Sequence, residues 1–137
     1  MREHLFRFLQ EAERWLHTPY GWGGDDPEKI DCSGYVIECL KSVGLLPRNG
    51  DWTADQLWHK FKTLKTDNKK SGCLVFFAKD NKVFHVGIYI GSGLCYSAAG
   101  GGSKTETVED AMKHNAWVKM HPVTWYNCNK YYVDLFG

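Results

Sequence analysis

The apolar residues of this chain change their period at Gly72, and that switch limits the fold more than any other feature. Upstream they recur at helical spacing. Leu5, Phe8, Leu9, Ala12, Trp15 and Leu16 define an amphipathic helix that ends before Pro19, since proline disfavours helical backbone in the residue before it. A glycine-rich turn at 20–24 and a polar loop through Pro27 follow. A second helix starts near Cys32, with Asp31 as its N-cap, Val36, Cys39, Leu40 and Val43 as its buried stripe, and Gly44 as its end. Thr53-Ala54-Asp55-Gln56 has the form of a capping box, opening a third, short helix that carries Leu57, Trp58 and Phe61.

Downstream of Gly72 the pattern is that of strands. Residues 73–77 read as a continuous apolar strand. Residues 83–90 read as a second, with Phe84, Val86, Ile88 and Ile90 on one face and His85, Gly87 and Tyr89 on the other. Gly91-Ser92-Gly93 is expected as a hairpin loop into a third strand at 94–98. A glycine loop at 100–102, a helical stretch at 109–113 and strands at 117–120 and 131–135 complete the chain. Helices first and an antiparallel sheet afterwards predict an α+β fold, as one domain over residues 1–137.

Composition removes several function classes. Lysine and arginine number 17 against 16 acidic residues, and the short run 65–70 reads as a solvated loop, so no nucleic-acid partner is expected. No apolar run reaches the length of a membrane span. The first residues, Met1-Arg2-Glu3-His4, lack the pattern of a secretory signal, which predicts a chain that is cytoplasmic as made, or associated with a virion or cell wall. The five cysteines (32, 39, 73, 95 and 128) form no C-x-x-C pair, which gives a structural zinc site or a thioredoxin-like motif little support; no metal and no cofactor are expected. Cys39, Cys73 and Cys95 sit in apolar runs as small hydrophobes; Cys32 has Asp, Ser and Gly as neighbours.

Those neighbours give Cys32 its interest. A thiol at a helix N-terminus feels the partial positive charge of unpaired N–H groups, which favours the thiolate, and the same groups can hold an oxyanion. His85 breaks an apolar strand pattern and can serve such a thiol as a base. A third group usually orients the base. With a three-residue hairpin loop, residues 95, 97 and 99 share the face of His85, and Ser97 is the hydrogen-bonding side chain among them. A two-residue loop brings Tyr96 and Ala98 there instead. His114, Asn115 and His121 stay open for the same role.

Four segments carry a resemblance. Thr18-Pro19-Tyr20-Gly21-Trp22-Gly23-Gly24, Asp31-Cys32-Ser33-Gly34, Gly72-Cys73-Leu74-Val75-Phe76-Phe77 and His85-Val86-Gly87-Ile88-Tyr89-Ile90-Gly91 together resemble the NlpC family of papain-like cell-wall cysteine peptidases. The resemblance implies a papain-like core and cleavage of peptidoglycan stem peptides, commonly between D-γ-glutamyl and a diamino acid. It implies Cys32 as nucleophile and His85 as base, with Tyr20 beside the nucleophile and Asp31 and Ser33 lining the substrate pocket; Trp22 would add an apolar wall. One position departs: the family usually has a third polar residue, most often histidine, where this chain has Ser97. A lone catalytic domain without a signal peptide looks, by analogy, like a phage-encoded enzyme with tail or other virion proteins as partners. The competing readings are a papain-like amidase or acyltransferase on another substrate, and a catalytically weak tail or wall-binding module.

Overall fold

The computed structural model describes residues 2–18, 25–26, 29–99 and 117–137. The glycine-rich turn at 20–24, the loop at 100–102 and the helical stretch at 109–113 lie outside them. The described elements are helix α1 (Arg2–Arg14), a small hairpin of β1 (Asp25–Asp26) and β2 (Lys29–Ile30), α2 (Cys32–Ser42), α3 (Ala54–Phe61), and strands β3 (Lys65–Thr66), β4 (Leu74–Lys79), β5 (Lys82–Gly91), β6 (Leu94–Ala99), β7 (Trp117–Pro122) and β8 (Asn129–Val133). The six later strands form one antiparallel sheet in the order β3-β8-β4-β5-β6-β7. The α+β expectation holds. The loop read as polar contains the β1–β2 hairpin, and α1 stops earlier than its apolar stripe does. Trp15 and Leu16 still pack on the core from a turn, and His17 and Thr18 exchange backbone hydrogen bonds with Val118 of β7.

β4 is buried on both faces, which is why its sequence runs apolar without alternating. Leu74, Phe76 and Ala78 join the core beneath the helices, while Val75, Phe77 and Cys73 join a second cluster with Tyr89, Cys95, Val123 and Tyr132. The first core includes Phe8, Val36, Leu40, Leu57, Val86 and Ile88. Burying each of those side chains is worth about 1.5–3 kcal/mol. Tyr35, fully buried on α2, donates its hydroxyl hydrogen to the Ala12 carbonyl of α1 at 2.7 Å, which locks the two helices together. The capping box of α3 forms as expected: Gln56 N–H donates to Thr53 Oγ1 at 3.1 Å, and Thr53 N–H donates to Gln56 Oε1 at 2.9 Å.

Two irregularities in β5 set the site. Phe84, expected on the core face, is 43% exposed, and Val83 takes the core position. The β4–β5 register slips between Phe77 and Ala78, so Phe77 faces His85 but Ala78 faces Val83. Phe84 is the extra residue of a bulge, and Asp55 at the start of α3 accepts the Val83 N–H at 3.2 Å beside it. At the other end, Ser92 (φ 55°) and Gly93 (φ 76°) form a two-residue turn with both residues left-handed, the geometry of a type I′ hairpin. Gly91 pairs with Leu94, yet Tyr89 pairs with Cys95, so Ile90 is a second bulge. Turn and bulge together give the same register as the expected three-residue loop. Ser97 therefore shares the face of His85.

Candidate active site

α2 begins at Cys32 because Asp31 caps it. Gly34 N–H donates to Asp31 Oδ1 at 2.6 Å, and the Ser33 hydroxyl donates to the same oxygen at 3.4 Å. Ser33, expected in the substrate pocket, is buried, with its hydroxyl turned toward this cap.

Tyr89 N–H donates to the carbonyl of Cys73, the residue before β4, so alternate N–H groups of β5, those of Gly87 and His85, face β4 as well. The N–H of Val86 faces the other way, toward β6. Pairing with β6 runs only from Gly91 back to Ile88, so the ladder has opened by Val86. The start of α2 enters there. The N–H groups of Val86, of Ser33 and of Cys32 itself bear on the Cys32 sulfur and favour its charged form. The nucleophile candidate thus sits against the residue that follows His85 in the chain.

Electrostatics modify the expectation of a ready thiolate. Burial, and then the Asp31 carboxylate, push the Cys32 thiol up to about 12, against the opposing pull of the three N–H groups. Burial, and then His121, push the His85 imidazole down to about 3. Each group alone is therefore neutral near pH 7. The helix N-terminus is present but is outweighed by desolvation, which acts on the whole charge.

His85 is 6% exposed and held among aromatic rings, Phe77 at 5.4 Å and Tyr126 at 4.9 Å between centroids. Ser97 Oγ lies 3.1 Å from His85 Nε2, which leaves the ring's Nδ1 for other chemistry. Gly87, directly across from Ser97, permits this: a Cβ there would stand 2.9 Å from the Tyr96 carbonyl oxygen and 3.0 Å from Ser97 Cβ. On its other side Ser97 Oγ lies 2.6 Å from His121 Nε2. His121 was one of three residues whose spacing gave them no position; His114, Asn115, Tyr20 and Trp22 lie outside the described residues. Tyr126, which packs on both imidazoles, carries no sequence signal, because it arrives from the turn after β7.

Residues 17–122 match the model of the NlpC/P60 family. The chain belongs to that family. It is 34% identical over 101 residues to the probable endopeptidase p60 of Listeria monocytogenes, covering 73% of this chain and 20% of that protein. It is 38% identical over 90 residues to the gamma-DL-glutamyl hydrolase of Bacillus subtilis, covering 62% of this chain and 21% of that protein. The chain thus spans about a fifth of the length of these curated relatives. Among solved structures, the NlpC/p60 domain of the peptidoglycan hydrolase SagA superposes with a TM-score of 0.69 at 25% identity, covering 96% of this chain and 98% of that one. The α+β architecture is the papain-like core of the NlpC/P60 family, with α2 as the helix that opens on the cysteine.

Proposed function

We propose that this chain is a cysteine endopeptidase that hydrolyses peptidoglycan stem peptides at the bond between D-γ-glutamyl and a diamino acid. The observation that carries the reading is the seat of Cys32: it opens α2 under the Asp31 cap, within the influence of the Val86 N–H, and Val86 follows a histidine whose Nε2 is already engaged by Ser97. Family membership supports the substrate class. The names of two Bacillus subtilis relatives, a bifunctional muramidase/DL-endopeptidase and a gamma-DL-glutamyl hydrolase, support the bond. The relatives named are bacterial, which lends a phage origin no support.

In this mechanism Cys32 is the nucleophile and His85 the base. Because each is neutral at rest, the proton leaves sulfur for His85 Nδ1 as the sulfur–carbon bond forms, and the carbonyl electron pair moves onto oxygen. The N–H of Cys32 then stabilises that oxyanion. Collapse expels the diamino acid amine, which takes the proton from His85, and leaves a thioester. Water, deprotonated by His85, releases the D-glutamyl product and restores the thiol. Asp31, Tyr20 and Trp22 are the proposed substrate contacts, and Ser33 supports them through its hydroxyl on the Asp31 carboxylate.

Mass spectrometry of purified muropeptides incubated with the protein tests this. Wild type should release fragments split after D-glutamate, and Cys32→Ala should release none. Intact muropeptides with wild type, alongside binding to whole walls, would favour the wall-binding module. Turnover of a different acyl substrate by a Cys32-dependent route would favour the amidase or acyltransferase.

A further inference from the structure

Ser97 sits between two imidazoles, and the hydrogens of the three groups have one consistent assignment. His121 Nδ1 lies 2.8 Å from the Pro122 carbonyl oxygen. A carbonyl only accepts, so Nδ1 of His121 carries its hydrogen, and in a neutral ring Nε2 is then an acceptor. Burial and nearby Lys119 both disfavour a charged His121, although the Pro122 carbonyl opposes them. Ser97 has one hydroxyl hydrogen, and at 2.6 Å it goes to His121 Nε2. Its oxygen can then only accept from His85, so His85 carries its hydrogen on Nε2 and its lone pair on Nδ1. The Cys95 sulfur, 3.8 and 3.6 Å from the two His121 nitrogens, is too far to displace either oxygen.

The end of this chain of bonds is itself fixed. Val123 N–H donates to the Gly93 carbonyl at 2.9 Å. That N–H shares a peptide plane with the Pro122 carbonyl, so anchoring one aims the other. The rings are clamped as well: Trp125 meets His121 edge-on at 4.6 Å, and Tyr126 touches both His121 and His85.

We propose that His121, acting through Ser97, is a positioning residue for the base: the Pro122 carbonyl fixes the His121 tautomer, and Ser97 passes that choice on, so that His85 keeps its Nδ1 lone pair for the Cys32 thiol. This rests on the peptidase reading. A free neutral imidazole populates both tautomers, and the one with hydrogen on Nδ1 cannot take the thiol proton. The orienting function of a single third residue is thereby divided between β6 and β7.

The test is long-range 1H–15N NMR of histidine-labelled protein near neutral pH, with kinetics of the variants alongside. Wild type should show His85 with hydrogen on Nε2 and His121 with hydrogen on Nδ1. His121→Leu should mix the His85 tautomers and lower kcat about two- to tenfold with KM unchanged. His121→Gln, whose amide can donate to Pro122 and accept from Ser97, should restore both. Wild-type His85 with its hydrogen on Nδ1 overturns the proposal, and this needs no variant to fold. So does a His121→Leu protein with wild-type His85 signals and wild-type kcat. The NMR result is independent of turnover, so a failure of the peptidase reading would show separately, as a wild type that cleaves nothing.

Discussion

Replacing Gly87 with alanine should damage the candidate site through Ser97 alone. The added Cβ would stand 2.9 Å from the Tyr96 carbonyl oxygen and 3.0 Å from Ser97 Cβ, where unstrained contacts of this kind lie at about 3.5–4.0 Å. The first neighbour is backbone in a paired strand and yields little. Ser97 must therefore retreat by roughly 0.5 Å or more, which stretches its 3.1 Å contact with His85 past the range of a hydrogen bond. Overpacking of this size costs about 1–3 kcal/mol, offset by about 0.4–1 kcal/mol because alanine restricts the unfolded chain, so urea unfolding should show a net loss near 1–2 kcal/mol. Losing the neutral hydrogen bond costs a further 0.5–1.5 kcal/mol in the transition state, or about two- to tenfold in kcat/KM on a stem peptide. Ser97→Ala should lower the rate by a similar factor, and the double variant by little more than either single one, since both remove the same bond. A Gly87→Ala protein that loses stability but keeps full kcat/KM would refute the coupling between Gly87 and the base.

Two further outcomes follow from the charges at the site. His85 is held down to about 3 against an ordinary 6.5, so between those values the unfolded chain binds a proton that the folded one does not. Stability from this group is complete above the unfolded value and falls as the pH drops toward the folded one, by about 1.4 kcal/mol per unit. Urea unfolding at about pH 7, 6 and 5 should show a shallower loss in His85→Gln than in wild type, and parallel losses would contradict the assignment. Asp31 raises the Cys32 thiol, so Asp31→Asn should speed alkylation of Cys32 by iodoacetamide. If Asp31 also pairs with a free amine at the start of the stem peptide, the same variant should lose roughly ten- to a hundredfold in kcat/KM on that peptide and far less on its acetylated form. Equal wild-type efficiency on the two peptides would leave Asp31 as a cap only.

The parts of the fold legible in sequence were those governed by local chemistry. Asp31 and Thr53 cap their helices because a side-chain oxygen and a backbone N–H a few residues on can meet without help from the rest of the chain. The helical and strand periods marked the sheet and the helices that cover it. Phe84 leaves its expected face because alternation assumes an unbroken ladder; it is the extra residue of a bulge, and the neighbouring Val83 N–H is held by Asp55, 28 residues before Val83. The face of Ser97 was read correctly through the wrong turn: two residues and a bulge replace three residues of loop. His121 and Tyr126 join the site through the packing of β7 and its following turn against β6, a long-range fact without periodicity or motif. Burial also reversed the expected ease of ionising Cys32, since local sequence shows the helix start but not how deeply the sulfur is enclosed.

The Ile90 bulge absorbs the residue that a two-residue turn leaves over. Were Ile90 drawn into the ladder with the Ser92–Gly93 turn unchanged, β6 would slide by one residue, Tyr96 and Ala98 would share the face of His85, and Ser97 would turn to the other side. Deleting Ile90 has no such effect, because Tyr89 already pairs with Cys95 across the bulge and that pairing survives the loss. The tip of the hairpin is thus insulated from the site: related chains should differ in length between the equivalents of Tyr89 and Cys95 by odd or even steps alike, while the residue beneath the histidine stays in register.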